Sequence, residues 1–486
     1  MVGSAQETAG RGHDNQNLPL GLAAMDAEEF RRVGHEVIDW IADYRSRLES
    51  LPVLAQVEPG WVRERLPEEL PEEPEPFDAV LADVDRVVVP ATTHWQHPSF
   101  FAYFPANASL PSVLGDLVST GLGVQGMLWA TSPACTELEQ VLMDQLVAAM
   151  GLPRSFLGGG VIQDTASSAA LVALVAALQR ASGGRWRASG VDGSETVYVS
   201  SQTHSSLAKA ARIAGLGEEA VRAVPTGDDL AMSPEALEAV IAADVAAGRR
   251  PVLVCATVGT TGTGAVDPVR AIGEVCARSG VWLHVDAAWA GAAALCPEHR
   301  GLLDGLELAD SYCANAHKWL LTAFDASLFW TSRPDELVDA LTILPEYLRN
   351  PATESGAVVD YRDWQIPLGR RFRALKLWAV LRTHGLSGVR AHLRGHVELA
   401  RRLEGWVAAD PRWEVVTPRT LSLLVIAVRG DEAATRRAVE AVNAGGEAYL
   451  THAVVGGRYV ARVAIGAVGT EERHVRALWE ALRAAV

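Results

Sequence analysis

The chain has 486 residues, too many for one small core, so roughly two or three structural units are expected. Hydrophobic residues make up 49% and charged residues 21%, the balance of an ordinary folded, water-soluble protein. A formal charge of −16 argues against a nucleic-acid or anionic-membrane partner, since either would need a basic face.

In chain order, residues 1–24 are rich in Gly, Asn and Gln and read as a disordered extension, with Met25 as an alternative start. From residue 26 to about 47, Phe30, Val33, Val37, Ile38 and Ile41 recur at helical spacing and predict an amphipathic helix. Residues 52–76, full of Pro and Glu, read as an extended connector, and a second helix is expected over 77–87. Residues 25–109 therefore form a helical arm whose apolar faces need a partner surface.

Residues 110–375 change character. Short β-branched runs ending in Ser, Thr, Asp or Gly alternate with helical patterns, as in "TVYVSSQTHSS", "PVLVCATVGTT", "VWLHVDAAWAG" and "SYCANAHKWL". Such alternation implies crossover connections, hence an α/β fold with a mostly parallel sheet covered by helices on both faces. Residues 376–486 open with a long helical pattern and then give strands "LSLLVIAV" and "RYVARVAIGAV", a smaller α/β domain. The longest apolar run, residues 169–178, is too short to span a bilayer. Five scattered cysteines without a C-x-x-C pair indicate neither a disulfide framework nor a zinc cluster, and fit a reducing cytoplasm.

In open parallel sheets, ligands bind beyond the carboxyl ends of the strands. What falls there is Thr165, Ala166 and Ser167 at the start of an apolar helix, His204, Thr261, Asp286 and Lys318. Lys318 is notable because only Lys209, Lys318 and Lys376 among 43 basic residues are lysines, and a desolvated lysine, unlike an arginine, can lose its proton and act as a nucleophile. Taken singly, Thr165 or Ser167 is an N-cap, Asp286 a strand-end cap and Lys318 a solvated charge. Together an amine, a carboxylate, a planar ring and a helix terminus meet the needs of pyridoxal phosphate: a Schiff-base lysine, a partner for the pyridinium nitrogen and a phosphate cradle. Ala287 and Ala288, just after Asp286, leave room for a flat ring.

The stretches "THWQHPSFFAYFP", "SPACTELE", "SSQTHSS", "HVDAAWAG", "NAHKWL" and "DYRDWQIPLGRRFR" resemble, in this order, the group II pyridoxal-phosphate decarboxylases, and in particular the aromatic-L-amino-acid decarboxylases. The resemblance implies the aspartate-aminotransferase-type fold (fold type I) and a cytoplasmic homodimer whose N-terminal arm wraps its partner. It makes Lys318 the Schiff-base lysine, Asp286 the pyridinium partner and His204 the residue stacked on the ring. Ala166, Ser167 and Asn315 would hold the phosphate, with Thr165, Thr261 and Ala288 beside the cofactor and His317 next to the lysine.

By the same resemblance Tyr347, in the polar connector 344–361, protonates Cα after CO₂ leaves, whereas relatives with phenylalanine there make aldehydes with oxygen. Trp95, Phe101, Tyr103, Phe104 and Pro105 would line the side-chain pocket, although an aromatic stripe is usually core. Gly369 matches a position where glycine goes with indole substrates and serine with phenolic ones, favouring tryptophan or 5-hydroxytryptophan over tyrosine, phenylalanine or dopa. Gln125 and Met127 stand where the second subunit donates pocket residues that are often apolar, a departure that leaves the substrate open.

Two motifs are decoys. "GLGVQG", residues 121–126, has the dinucleotide spacing G-x-G-x-x-G, but a helical pattern precedes it where a strand is required. In "HLRGH", His392 and His396 are one helical turn apart, yet no third ligand is evident; they read as solvated histidines, and no metal is expected. A catalytically silent binding relative is disfavoured by the intact Lys318, Asp286, His204 and Tyr347.

Overall fold

The computed structural model describes residues 25–343 and 346–486, without the side chain of Tyr347; the extension expected over 1–24 lies outside the described residues. Residues 25–51 and 55–93 form one compact unit, and residues 52–54 and 94–486 another. In the first, the helix Ala27–Ser46 starts at Asp26, whose carboxylate accepts from the Glu28 and Glu29 amides that helix geometry leaves unpaired. Trp40 and Arg47 of this segment both bond Asp85, tying it to the helical turns of residues 77–88.

The second unit is built on a seven-stranded sheet: β1 (Gly160–Gln163), β2 (Glu195–Ser200), β3 (Val221–Val224), β4 (Arg250–Thr257), β5 (Trp282–Asp286), β6 (Ser311–Asn315) and β7 (Ser327–Thr331). Its order is β1-β7-β6-β5-β4-β2-β3, and β7 alone runs against the others. Helices cover both faces of the central strands, so alternation is absent and every residue of β5, β6 and β7 is buried. The helix Ala166–Ala181 fills one face with Ala169, Val172, Ala173 and Leu174.

Register brings the chemistry to one rim. Thr257, the last residue of β4, pairs with Asp286 of β5, and Asp286 pairs with Cys313 of β6. β1 runs parallel to these strands, so the start of Ala166–Ala181 reaches the same end of the sheet.

The second sheet comprises β8 (Trp413–Val415), β9 (Leu423–Val428), β10 (Thr451–Val455) and β11 (Arg458–Ala464) in the order β10-β11-β9-β8, all antiparallel. Leading to it is the helix Arg373–Ala409, broken at Gly385, whose φ of +62° and extended ψ suit a residue without Cβ. Phe101 belongs to the core under this sheet, with Leu424, Ile426 and Tyr459, rather than to a substrate pocket. The expectation of solvated histidines in "HLRGH" is also overturned. His396 is buried, Trp319 Nε1 donates to its Nδ1 at 3.0 Å, and burial holds His392 down to about 4, because this helical face packs inward. Among the described residues no cluster is placed to hold a metal.

Arg370 and Glu139 form an ion pair that is fully buried, beneath β1. Glu139 also accepts from the Ile162 amide, while Arg370 donates to Gln365 and to the Ile162 carbonyl and lies 4.6 Å from the Tyr361 ring centroid. Removing one member leaves a dry, unpaired charge. Glu139→Ala should lower stability by about 3–5 kcal/mol, read as a fall in the urea midpoint; a shift equivalent to less than about 1 kcal/mol would show that the pair is not holding β1.

Candidate active site

The carboxyl ends of β4, β5 and β6 and the start of Ala166–Ala181 enclose a cavity of about 200 Å³. Phe104, Thr165, Ala166, Ser167, His204, Thr261, Asp286, Ala288, Asn315 and Lys318 line it, joined by Thr257, Gly259 and Trp289, which sequence reasoning had not singled out. Gly259 has φ +82°, and a Cβ there would lie 2.7 Å from that of Ala290. This is a close approach that only glycine permits.

Lys318 follows β6 within the short helix Ala316–Trp319. Burial lowers its pKa, because an ammonium loses hydration there; Asp286 opposes the shift and Arg462 adds to it. The backbone around Lys318 is clamped by Asn107, whose amide donates to the Lys318 carbonyl and, at 2.9 Å, to that of Gly466, while its N–H reaches the His317 carbonyl at 2.9 Å. Asn107 lies just past the "FAYFP" motif, and its polarity before a helix start was the one available signal.

Asp286 ends β5. Ala288 N–H (2.9 Å) and the Cys313 thiol (3.6 Å) both donate to Oδ1, and the residue lines the cavity. Burial pushes the Cys313 thiol well up, so it keeps its proton and remains a donor. His204 is exposed, with its Nδ1 accepting from the Ser206 amide at 3.2 Å, and desolvation lowers its pKa. A neutral ring in this arrangement carries its proton on Nε2.

Thr165 caps Ala166–Ala181 by accepting from Ser168, so its structural role holds alongside any ligand role. The first amides of this 16-residue helix and its dipole make the adjoining wall favourable to an anion. Asn315 Oδ1 accepts from Ser327 at 2.7 Å, which directs its amide nitrogen elsewhere. Thr257 Oγ1 is buried without a partner among the described residues. His317 is buried behind the wall: its Nδ1 accepts from Ala326 at 2.9 Å, and desolvation with the neighbouring Lys318 holds it down to about 3, hence neutral.

Of the residues expected in the substrate pocket, Phe104 lines the cavity, stacked on Trp289 at 4.4 Å. Trp95, Tyr103, Pro105, Gln125, Met127 and Gly369 stand outside its lining within this chain. Trp95 stacks on Phe100 and Tyr103, and the Tyr103 hydroxyl lies 3.2 Å from that of Tyr449. Gln125 Oε1 accepts from the Met127 and Arg370 amides, binding the "GLGVQG" loop to the segment holding Gly369. The helix Leu110–Leu122 precedes that loop, so it does not have the strand-to-helix setting of a dinucleotide fingerprint. The side chain of Tyr347 lies outside the described residues; its backbone belongs to the turn Glu346–Leu348.

These residues suit pyridoxal phosphate. A desolvated amine and a carboxylate line one cavity together with Ala288 and Gly259, and a helix N-terminus supplies the anion end.

The chain matches the pyridoxal-dependent decarboxylase conserved domain over residues 59–429. It is 45% identical over 477 residues to a phenylacetaldehyde synthase of Arabidopsis thaliana, covering 95% of this chain and 96% of that protein. It is 44% identical over 477 residues to tryptophan decarboxylase 2 of Oryza sativa subsp. japonica, covering 95% of each. The crystal structure of Oryza sativa TDC with PLP and tryptamine superposes with a TM-score of 0.92 at 41% identity, over 96% of this chain and 99% of that one. The chain belongs to the group II pyridoxal-phosphate-dependent decarboxylases, in the aromatic-L-amino-acid decarboxylase family.

Proposed function

We propose that this protein converts an aromatic L-amino acid, tryptophan or 5-hydroxytryptophan ahead of tyrosine, phenylalanine or dopa, into the corresponding amine and CO₂. The observation that carries this reading is the meeting of Lys318, Asp286, His204 and a helix N-terminus around one cavity. Bound there, pyridoxal phosphate supplies the electron sink for the pair left when the carboxylate departs.

The protein's part is to bind, orient and manage protons. Lys318, whose pKa burial lowers, is the attachment point. Asp286 would pair with the ring nitrogen, and Thr165, Ala166, Ser167, Thr261 and Asn315 would hold the phosphate. His204 would cover the ring face, while neutral His317 fixes the turn that carries Lys318. Tyr347 delivers the proton to Cα, which selects amine over aldehyde. Its loss would open the second reading, an aldehyde synthase in which O₂ and water yield aldehyde, ammonia and peroxide; the phenylacetaldehyde synthase among the relatives favours keeping that reading in view.

The protein acts as a cytoplasmic homodimer that completes each pocket with Gln125, Met127 and Gly369 of the other copy. Support comes from their place outside the cavity of their own chain and from the exposed apolar face of Leu114, Leu117, Val118 and Leu122. No helix among the described residues is long and apolar enough to cross a membrane.

Borohydride reduction of the holoenzyme should fix the cofactor to the peptide containing Lys318, and Lys318→Ala should abolish both the adduct and amine formation; an adduct on another lysine would sink the assignment. Tyr347→Phe should lower amine yield and raise aldehyde and peroxide together, so unchanged product ratios would remove Tyr347 from the proton step. Amines measured across the five candidate amino acids should favour the indoles, and Gly369→Ser should move the Trp:Tyr ratio of kcat/KM toward tyrosine by roughly tenfold. The absence of any aromatic amine would overturn the reading as a whole.

A further inference from the structure

Arg462 is a buried cation that the scheme above leaves unused. It lies on β11 and is 2% exposed. Among the described residues no carboxylate pairs with it, and burial pulls its pKa down to about 9. A dry guanidinium without a counter-ion is costly, and an apolar side chain of similar size would serve stability better. Its contacts indicate another role.

They reach two residues of the cavity wall, Thr261 and Phe104, and Tyr103 next to Phe104. Nε donates to the Thr261 carbonyl at 2.5 Å, Nη1 donates to the Tyr103 carbonyl, and the guanidinium carbon lies 4.5 Å from the Phe104 ring centroid. Nη2 has no partner among the described residues. Tyr103 has φ +48°, a left-handed conformation that is unfavourable for an L residue and needs to be held. At this bend Tyr103 is exposed while Phe104 is buried in the wall, with Trp289 stacked on it and the Lys318 amine 5.5 Å from its centroid. One side chain of the small sheet thus ties together two separate cavity segments.

We propose that Arg462 is a positioning residue for the decarboxylation, holding the strained Tyr103–Phe104 turn and the Thr261 loop in place from the small-domain sheet. The proposal rests on the decarboxylase reading of the cavity. Turnover by the wild-type protein tests that reading, and comparison among variants tests Arg462.

Arg462→Met keeps length but removes charge and donors. Arg462→Lys keeps charge, but one ammonium cannot reproduce the planar fork. Each is assayed as holoenzyme for kcat and KM, for cofactor dissociation by fluorescence, and in combination with Phe104→Leu. Misplacing the wall should cut kcat/KM by roughly tenfold or more in the Met variant and by at least about threefold in the Lys variant, with the cofactor dissociation constant changing less than about threefold. Because Arg462 acts on the wall that carries Phe104, Arg462→Met should cost less in the Phe104→Leu background than in the wild type. Wild-type kcat/KM in the Met variant, a full additional loss in the double variant, or a loss matched by equal weakening of cofactor binding would each overturn the proposal. If the Met variant does not fold, the Lys variant decides: reduced kcat/KM in a folded protein supports the positioning role, and a wild-type value ends it.

Discussion

The site depends on keeping one lysine amine dry opposite one carboxylate. A lysine in water is an ammonium and no nucleophile; desolvated, it can give up its proton. The register of β4, β5 and β6 creates that condition by bringing Thr257, Asp286 and Cys313 level at the carboxyl ends, with Lys318 one short turn beyond β6. Asn107 then grips the Lys318 carbonyl from a distant part of the chain, so backbone as well as side chain is held.

Behind the cavity, rigidity comes from aromatic packing. Phe104 stacks on Trp289, Trp289 on Trp319 at 5.4 Å, and Trp319 bonds His396, which meets His392 edge-on at 4.2 Å. This column joins the large sheet to the helix Arg373–Ala409, and desolvation keeps its histidines neutral, so no charge has to be accommodated within it. On the other side, Arg370 and Glu139 anchor β1, and with it the helix start that forms the anion wall.

Much of this was legible in the sequence. Strands β2 and β4 carry β-branched residues, β2, β4, β5 and β6 end in Ser, Thr, Asp and Asn, and the strand-end rule led directly to His204, Asp286 and Lys318. The four-residue β1 and β3 were not read as strands, because runs so short give no usable period, and β7 hides among aromatic and small residues. His392 and His396 were misread because helical spacing places residues on a shared face without saying whether water or Trp319 covers it. Arg462 carried a faint signal, a charge between Val460 and Ala464 on one strand face, but its contacts with Tyr103 and Thr261 depend on pairings some 200 or more residues apart. Gln125, Met127 and Gly369 sit outside their own chain's cavity, an arrangement that motif matching within one chain cannot display.

The cysteines form a quieter pattern. All five are free and buried, and in each case desolvation drives the thiol pKa upward, Cys313 beside Asp286 included. Thiolate character is what makes sulfur vulnerable to oxidants. A small oxidant would therefore find the cysteine sulfurs protonated and sheltered.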